Sequence, residues 1–257
     1  MFDTHCHFNF TTFKEDLDDV LRSSHHAGVH RFLVPGIDLK SSQAALALHT
    51  AYPEEIFCAV GFHPNSDPQT GISEFSSFLE NNIHDIAAIG EIGLDFYRDF
   101  TSRTNQEDMF RKMLLIAAKY HLPVCLHNRN ASSEMIKLLD DWYSTKKPIK
   151  SGVFHAYDGS AEIADWGLGH GFFFGVGGMI TYKNSKILRH SVKCIGLQNI
   201  VLETDSPYLT PVPYRGKRNT PVNMQYIVEV LKALLNTSRD AIIKQTSNNA
   251  ETLFGLT

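Results

Sequence analysis

Eight short apolar or β-branched runs recur along this chain, at 1–5, 31–34, 56–60, 86–91, 123–127, 151–155, 172–176 and 199–203, and a helix-like segment follows each. The helical stretches are read at 13–27, 41–52, 73–81, 104–120, 132–143, 161–168, 185–195 and 221–235, with a last one at 239–254. A repeat of about 30 residues is the size of one βα unit, and eight such units fit the usual length of a (β/α)₈ barrel, here 257 residues. The predicted fold is therefore an α/β class TIM barrel. No low-complexity tract, charge block or Gly/Ser linker divides it, so residues 1–257 are read as a single barrel domain with closing C-terminal helices. The first of these is expected to start with Thr220 as N-cap and Pro221 at N1. A doubly wound open sheet is the rival architecture, but no G-x-G-x-x-G turn follows the first strand.

Composition narrows the partners. With 43% hydrophobic residues the chain buries a full core. No run of about 18 apolar residues spans a bilayer, and the start has neither a basic n-region nor a signal-like apolar core. A soluble, cytoplasmic protein with no membrane partner is expected. Cys6, Cys58, Cys125 and Cys194 form no C-x-x-C pair and read as buried thiols. A net charge of −4 and a pI near 6.3 argue against coating duplex DNA, which needs a basic face over many phosphates.

In a barrel of this kind reactive residues gather at the C-terminal ends of the strands. Asp3-Thr4-His5-Cys6-His7 places two imidazoles at i, i+2, so on extended chain His5 and His7 share a face. Glu91 is expected to end strand 4, His127 strand 5 and His155 strand 6. Strand 8 runs into Glu203 and Asp205, again at i, i+2, and strand 3 leads into Gly61-Phe62-His63-Pro64. Any one of these is an ordinary strand-end group, but their joint recurrence at five strand ends reads as a metal site. Imidazoles and carboxylates without thiolate suit Zn²⁺, Mn²⁺ or another borderline-to-hard ion. The remaining histidines read as solvent-facing or locally satisfied, and the glycines of Gly175-Val176-Gly177-Gly178 as a tight turn after strand 7.

The chain resembles the TatD family of metal-dependent deoxyribonucleases, within the amidohydrolase-like barrels. The resemblance lies in Asp3-Thr4-His5-Cys6-His7, Gly61-Phe62-His63-Pro64, Gly90-Glu91-Ile92-Gly93-Leu94-Asp95, Pro123-Val124-Cys125-Leu126-His127-Asn128-Arg129, His155-Ala156-Tyr157-Asp158-Gly159, Leu202-Glu203-Thr204-Asp205-Ser206-Pro207 and the segment 249–255. These follow in order over nearly the whole length. Phe62 stands where the family usually has leucine, Asn128 where serine is frequent, and Ala156-Tyr157 where Cys-Phe or Gly-Phe is common; no proposed ligand is lost. The resemblance implies two divalent ions per chain (Zn, Mn or Mg), one held by His5, His7, Glu91 and Asp205 and one by Glu91, His127 and His155, with Glu91 bridging. Glu203 is then an outer support or a ligand of an extra ion.

The activity so implied is a metal-dependent hydrolase of phosphodiester bonds, a 3′–5′ exodeoxyribonuclease on single-stranded DNA, with RNA as a further substrate. Two ions activate a water and neutralise both oxygens of an in-line displacement, Glu91 and Asp205 being catalytic and Asp205 orienting or deprotonating the water. His63 and Arg129 are candidates to contact phosphate, as are Arg215, Lys217 and Arg218 in the loop 208–219. Phe96, Tyr97 and Tyr157 are candidate base-stacking residues, or core. No obligate protein partner is evident. The competing readings are an amide or ester hydrolase on the same site, for example of an aminoacyl-tRNA ester, and a non-catalytic metal-binding scaffold. Against the first stands Glu91 where many amidohydrolases carry a carboxylated lysine.

Overall fold

Strands buried on both faces read as continuous apolar runs rather than alternations, and the runs picked out above fold accordingly. In the computed structural model, which describes residues 1–67, 71–98, 100–146, 148 and 151–256, the strands are β1 (Phe2–Asp3), β2 (Arg31–Pro35), β3 (Ile56–Val60), β4 (Ile86–Asp95), β5 (Val124–Arg129), β6 (Gly152–Phe154), β7 (Phe173–Val176) and β8 (Ile200–Leu202). They form an eight-stranded sheet in chain order, with the β1–β2, β3–β4, β4–β5, β5–β6 and β7–β8 pairs parallel. Helices α1 (Leu17–His26), α2 (Leu39–Ala51), α3 (Ile72–Asn82), α4 (Arg103–Tyr120), α5 (Ser132–Lys146), α6 (Ala161–Gly169) and α7 (Lys186–Ile195) alternate with the strands, and α8 (Met224–Leu235) and α9 (Arg239–Phe254) close the chain. The fold is of the (β/α)₈ barrel class. Among the described residues no helix is long and apolar enough to cross a membrane.

By internal packing the residues form two compact units, 1–34 with 155–257 and 35–154. In the first, Phe2 lies against Phe254 with ring centroids 5.9 Å apart, and Leu33, Val201, Ile227 and Leu231 are wholly buried. Truncating such a leucine to alanine costs about 2–5 kcal/mol. Asn249 ties α9 to the start of β8, donating from Nδ2 to the carbonyls of Leu197 (3.0 Å) and Ile200 (2.7 Å). In the second unit Ile89, Leu94, Phe110 and Met113 are buried, and Phe62 meets Phe75 edge to face at 5.1 Å.

Local chemistry starts and stops the helices. Asp38 caps α2 by accepting the Ser41 N–H at 2.7 Å, while Ser41 Oγ receives the Asp38 N–H at 3.0 Å, a reciprocal capping box. Ser238 caps α9, which ends on Gly255 in the left-handed region at φ 67°. Thr220 departs from expectation. It precedes a 3₁₀ turn at Pro221–Asn223 without a side-chain cap bond, and α8 proper begins at Met224. Pro221 suits the opening of either helix, and the tighter turn comes first.

Strand ends also differ from the sequence reading: β5 runs two residues past His127 to Arg129, β8 stops at Leu202, one residue short of Glu203, and β2 gains Pro35. β1 stops at Asp3, so His5 and His7 lie beyond it; past that point the Cys6 N–H still donates to the Leu33 carbonyl of β2, while Thr4, His5 and His7 bond to the end of β8 and the segment after it. β4 runs four residues past Glu91, because β5 continues the ladder through Ile92–Leu126, Gly93–His127, Leu94–Asn128 and Asp95–Arg129 after a register shift. β6 ends at Phe154, one residue short of His155.

Candidate metal centre

In the first unit, backbone bonds lock the segment after β1 against the segment after β8. The Thr4 N–H donates to the Leu202 carbonyl (2.9 Å), the Asp205 N–H to that of His5 (2.8 Å) and the His7 N–H to that of Ser206 (2.7 Å). Cys6 bridges to Ser206 in parallel register. The chain therefore keeps strand-like alternation past the formal end of β1, and His5 and His7 share a side as expected. Beneath them Asp3 accepts from the backbone N–H of Thr204 (2.9 Å) and His5 (3.3 Å) and from the Thr204 hydroxyl. Burial pushes the Asp3 carboxyl up to about 7 against these hydrogen bonds.

Five donors meet here. His5 Nε2 and His7 Nε2 are 3.3 Å apart, and Asp205 Oδ1 lies 4.0 Å from the first and 3.5 Å from the second. His155 stacks on His5 with ring centroids 3.4 Å apart, its Nε2 3.8 Å from Asp205 Oδ1 and its Nδ1 3.2 Å from Glu203 Oε1. Donor atoms about 2.1 Å from one ion at the tetrahedral angle stand about 3.4 Å apart, so the observed spacings of this nitrogen and oxygen set fit a divalent cation. Asp205 turns at φ 53°, in the left-handed region that Asp tolerates. Burial raises its carboxyl, but the hydrogen bond from His7 and the charges of His155 and His5 together hold it below the usual range.

Gly175 in β7 and Gly177 just after it have a use beyond a tight turn. Glu203 is 1% exposed, and its carboxylate accepts the Ala156 N–H at 2.6 Å. A Cβ on Gly175 would fall within 2.6 Å of Glu203 Cδ, and one on Gly177 within 3.3 Å of the Glu203 carbonyl oxygen. These positions make room for a buried carboxylate rather than for a phosphate.

In the second unit a separate group forms from His63, Glu91 and His127. His127 Nδ1 is 2.8 Å and His63 Nε2 3.6 Å from Glu91 Oε1. His63 Nδ1 accepts the Asn65 N–H at 3.1 Å, which assigns the hydrogen of a neutral ring to Nε2. The atom that faces Glu91 is then a donor, whereas a ligand needs that lone pair. Gly93, at φ 143°, lets β4 approach β5, since its Cβ would sit 2.9 Å from the His127 carbonyl carbon.

Asp95 is the residue that the sequence reading passed over. His127 Nε2 faces its Oδ2 at 3.6 Å, Asn65 Nδ2 donates to the same oxygen at 2.9 Å, and the Tyr97 and Arg98 N–H groups donate to Oδ1 at 3.0 Å each. Gln106 holds its peptide from both sides, at 2.8 and 3.0 Å. Burial works to raise the Asp95 carboxyl, but His127, Asn65 and the backbone donors outweigh it and keep it well below the ordinary range. The signal was the even spacing of Glu91 and Asp95, which puts both on one face of a strand.

The cationic candidates divide. Arg129 lies over the Tyr97 ring at 3.9 Å, Arg215 over Tyr182 at 4.4 Å and Lys217 over Tyr214 at 5.6 Å, all exposed enough to meet a ligand. Arg218 is engaged elsewhere: its guanidinium donates to both oxygens of Asp16 (3.1 and 2.5 Å) and to the Thr12 carbonyl (2.7 Å) above Phe13. Tyr157 is core, with its hydroxyl bonded to Ser191 and Ser160, and Phe96 carries Arg103 at 4.4 Å. Cys6, Cys58 and Cys125 are buried as expected, but Cys194 is exposed on α7.

The chain also resembles known proteins over nearly its whole length. A family model described as TatD related DNase matches residues 2–255. A Bacillus subtilis protein named as the uncharacterized metal-dependent hydrolase YabD is 32% identical over 255 residues, 99% of this chain and 98% of its own. An Erwinia tasmaniensis protein named 3′-5′ ssDNA/RNA exonuclease TatD is 32% identical over 267 residues, covering all of both chains. The crystal structure of YjjV, a TatD homologue from Escherichia coli, superposes with a TM-score of 0.92 at 30% identity over 99% of this chain and 98% of that one.

Proposed function

Given that the chain belongs to the TatD family of metal-dependent hydrolases, we propose that it removes nucleotides from the 3′ end of single-stranded DNA, and of RNA as well, by hydrolysing the phosphodiester bond. The observation that carries this reading is the convergence of His5, His7 and Asp205 donor atoms at ion-sharing distances, with no thiolate among them. The names of relatives at about the same identity over full length point to the same substrate.

In this reading His5, His7 and Asp205 hold one divalent ion, with His155 and Glu203 beside it, and Glu91 and His127 hold a second. Bound there, such ions lower the pKa of water and neutralise charge on phosphate oxygens. The protein's own groups do the rest. Asp205, ionised throughout the neutral range, accepts the proton of the attacking water. His63 donates from Nε2 to a phosphate oxygen, the role that its tautomer supports. Asp95 fixes the His127 ring between two carboxylates, so its orientation is set before substrate arrives. Arg129, Arg215 and Lys217 hold the strand's phosphates, and Arg218 anchors the loop of Arg215 and Lys217 to the segment before α1.

The test is turnover of 3′- and 5′-labelled DNA and RNA oligonucleotides by protein supplied with Zn²⁺, Mn²⁺ or Mg²⁺, beside phosphomonoester, amide and ester substrates. Stepwise loss from the 3′ end is expected. Cleavage of an amide or ester alone would replace this reading with the amidohydrolase one.

A further inference from the structure

Beside the first group of donors stands an aromatic corner that metal binding does not explain. Phe10 stacks face to face on the His7 ring, with centroids 4.4 Å apart and planes 10° apart. Tyr208 stands edge-on to both, 6.3 Å from His7 and 6.4 Å from Phe10. The residue is 55% exposed, yet its backbone is pinned. The Tyr208 N–H donates to the Asp205 carbonyl at 2.7 Å, and the Tyr208 carbonyl accepts from the wholly buried Asn219 at 2.8 Å.

Large aromatic side chains gain by full burial, so one held rigidly with over half its surface in water, three residues from Asp205, is an incomplete stack. Tyr97 and Phe100 are more exposed, at 63% and 71%, but Arg129 already covers the Tyr97 ring. The loop that begins at Tyr208 also carries Arg215 and Lys217, each poised over a tyrosine. Flat aromatic surface beside exposed cations is the combination that grips single strands without reading sequence, because every base offers a π-face.

We propose that Tyr208, backed by Phe10, is the platform on which the 3′-terminal base stacks, setting the scissile phosphodiester against His7 and Asp205. This rests on the nuclease reading above and adds the part of the substrate that the metal centre does not touch. A terminal nucleotide without a base would then bind less well, and pyrimidine or purine identity would matter little.

The experiment uses two single-stranded oligonucleotides, identical except that one ends in an abasic 3′ residue. Metal-loaded wild-type protein should favour the base-bearing end by about tenfold, mainly through KM. In Tyr208→Ala that ratio should fall to near one, and in Tyr208→Leu as well, which keeps an apolar cover over Phe10 without a π-face. Tyr208→Phe and Tyr208→Trp should keep it. Fluorescence of Tyr208→Trp should be quenched by the base-bearing oligonucleotide and not by the abasic one, a signal independent of turnover. An unchanged ratio in Tyr208→Ala and Tyr208→Leu would overturn the platform while the nuclease reading stood. Absence of hydrolysis in the wild type would overturn the nuclease reading, and equal quenching by both oligonucleotides would then reject the platform separately.

Discussion

The two groups of candidate ligands are built by opposite means. In the first unit four of the five donors come in i, i+2 pairs from short segments just past β1 and β8, and side chains beneath them, Asp3, Thr204 and Ser206, supply the rigidity. In the second, Glu91 and His127 sit inside long paired strands, and the ladder itself is the support. A side-chain web tolerates a lost contact more readily than a ladder tolerates a lost glycine. Glycine substitutions should therefore separate function from stability in the first unit and join them in the second.

The largest effects should come from the ligands themselves. Glu91→Ala and His5→Ala should each lower kcat by at least about 10³-fold, since a divalent ion supplies several kcal/mol of transition-state stabilisation, with circular dichroism unchanged. Metal content sharpens the contrast. If Glu91 serves both ions, as the family resemblance implies, Glu91→Ala loses both equivalents while His5→Ala loses one. Loss of a single equivalent in Glu91→Ala would confine Glu91 to the second unit's group. Near-normal turnover in either variant would remove that residue from the centre.

Two glycines carry the comparison into stability. Gly93→Ala puts a side chain at φ 143° against the His127 backbone, where neither strand can yield, and should destabilise by more than about 3 kcal/mol. A melting temperature within a few degrees of wild type would show that the ladder adapts. Chelation comes next. An ion present at a hundred times its Kd stabilises by about 2.7 kcal/mol, so EDTA should lower the melting temperature by about 5–10 °C, and an unchanged midpoint would mean that no ion is bound. Gly175→Ala meets only the end of the Glu203 side chain, so the fold should survive while metal affinity or activity drops about 10- to 100-fold.

The same contrast explains what could be read in advance. Eight strands and the alternating helices were visible because each strand is an unbroken apolar run between turn residues. His5, His7, Glu203 and Asp205 were visible because period-two spacing is local. The grouping was not. That His155 stacks on His5 depends on how far β6 runs before it turns. Asp95 is less legible because β4 continues four residues past Glu91, on the ladder with β5. The role of Gly175 needed Glu203, 28 positions later, and Tyr208 showed its exposure only once Asn219 had pinned its backbone. Arg218 looked like its neighbours Arg215 and Lys217 until Asp16, some 200 residues away, was found in its fork.

The smallest expected effect concerns that last pair. The hydrogen bond from Arg218 holds the Asp16 carboxyl below its ordinary value. A carboxylate lowered in the folded state stabilises it fully above the unfolded value of about 3.9, and the contribution is lost as pH falls through the lower folded value. Because both groups are about a third exposed, water and salt screen the pair, and its worth should be under about 1 kcal/mol. Asp16→Asn should therefore move the urea midpoint slightly at pH 6 and converge with wild type as pH falls below 4. A gap between the two proteins that stays constant from pH 6 to pH 3 would mean that the pair acts through packing over Phe13 and not through charge. In that event the loop bearing Tyr208, Arg215 and Lys217 is held without help from the charge of Asp16, by bonds such as those of Asn219 and the Thr12 carbonyl, and the first unit would match the second in relying on hydrogen bonds to the backbone.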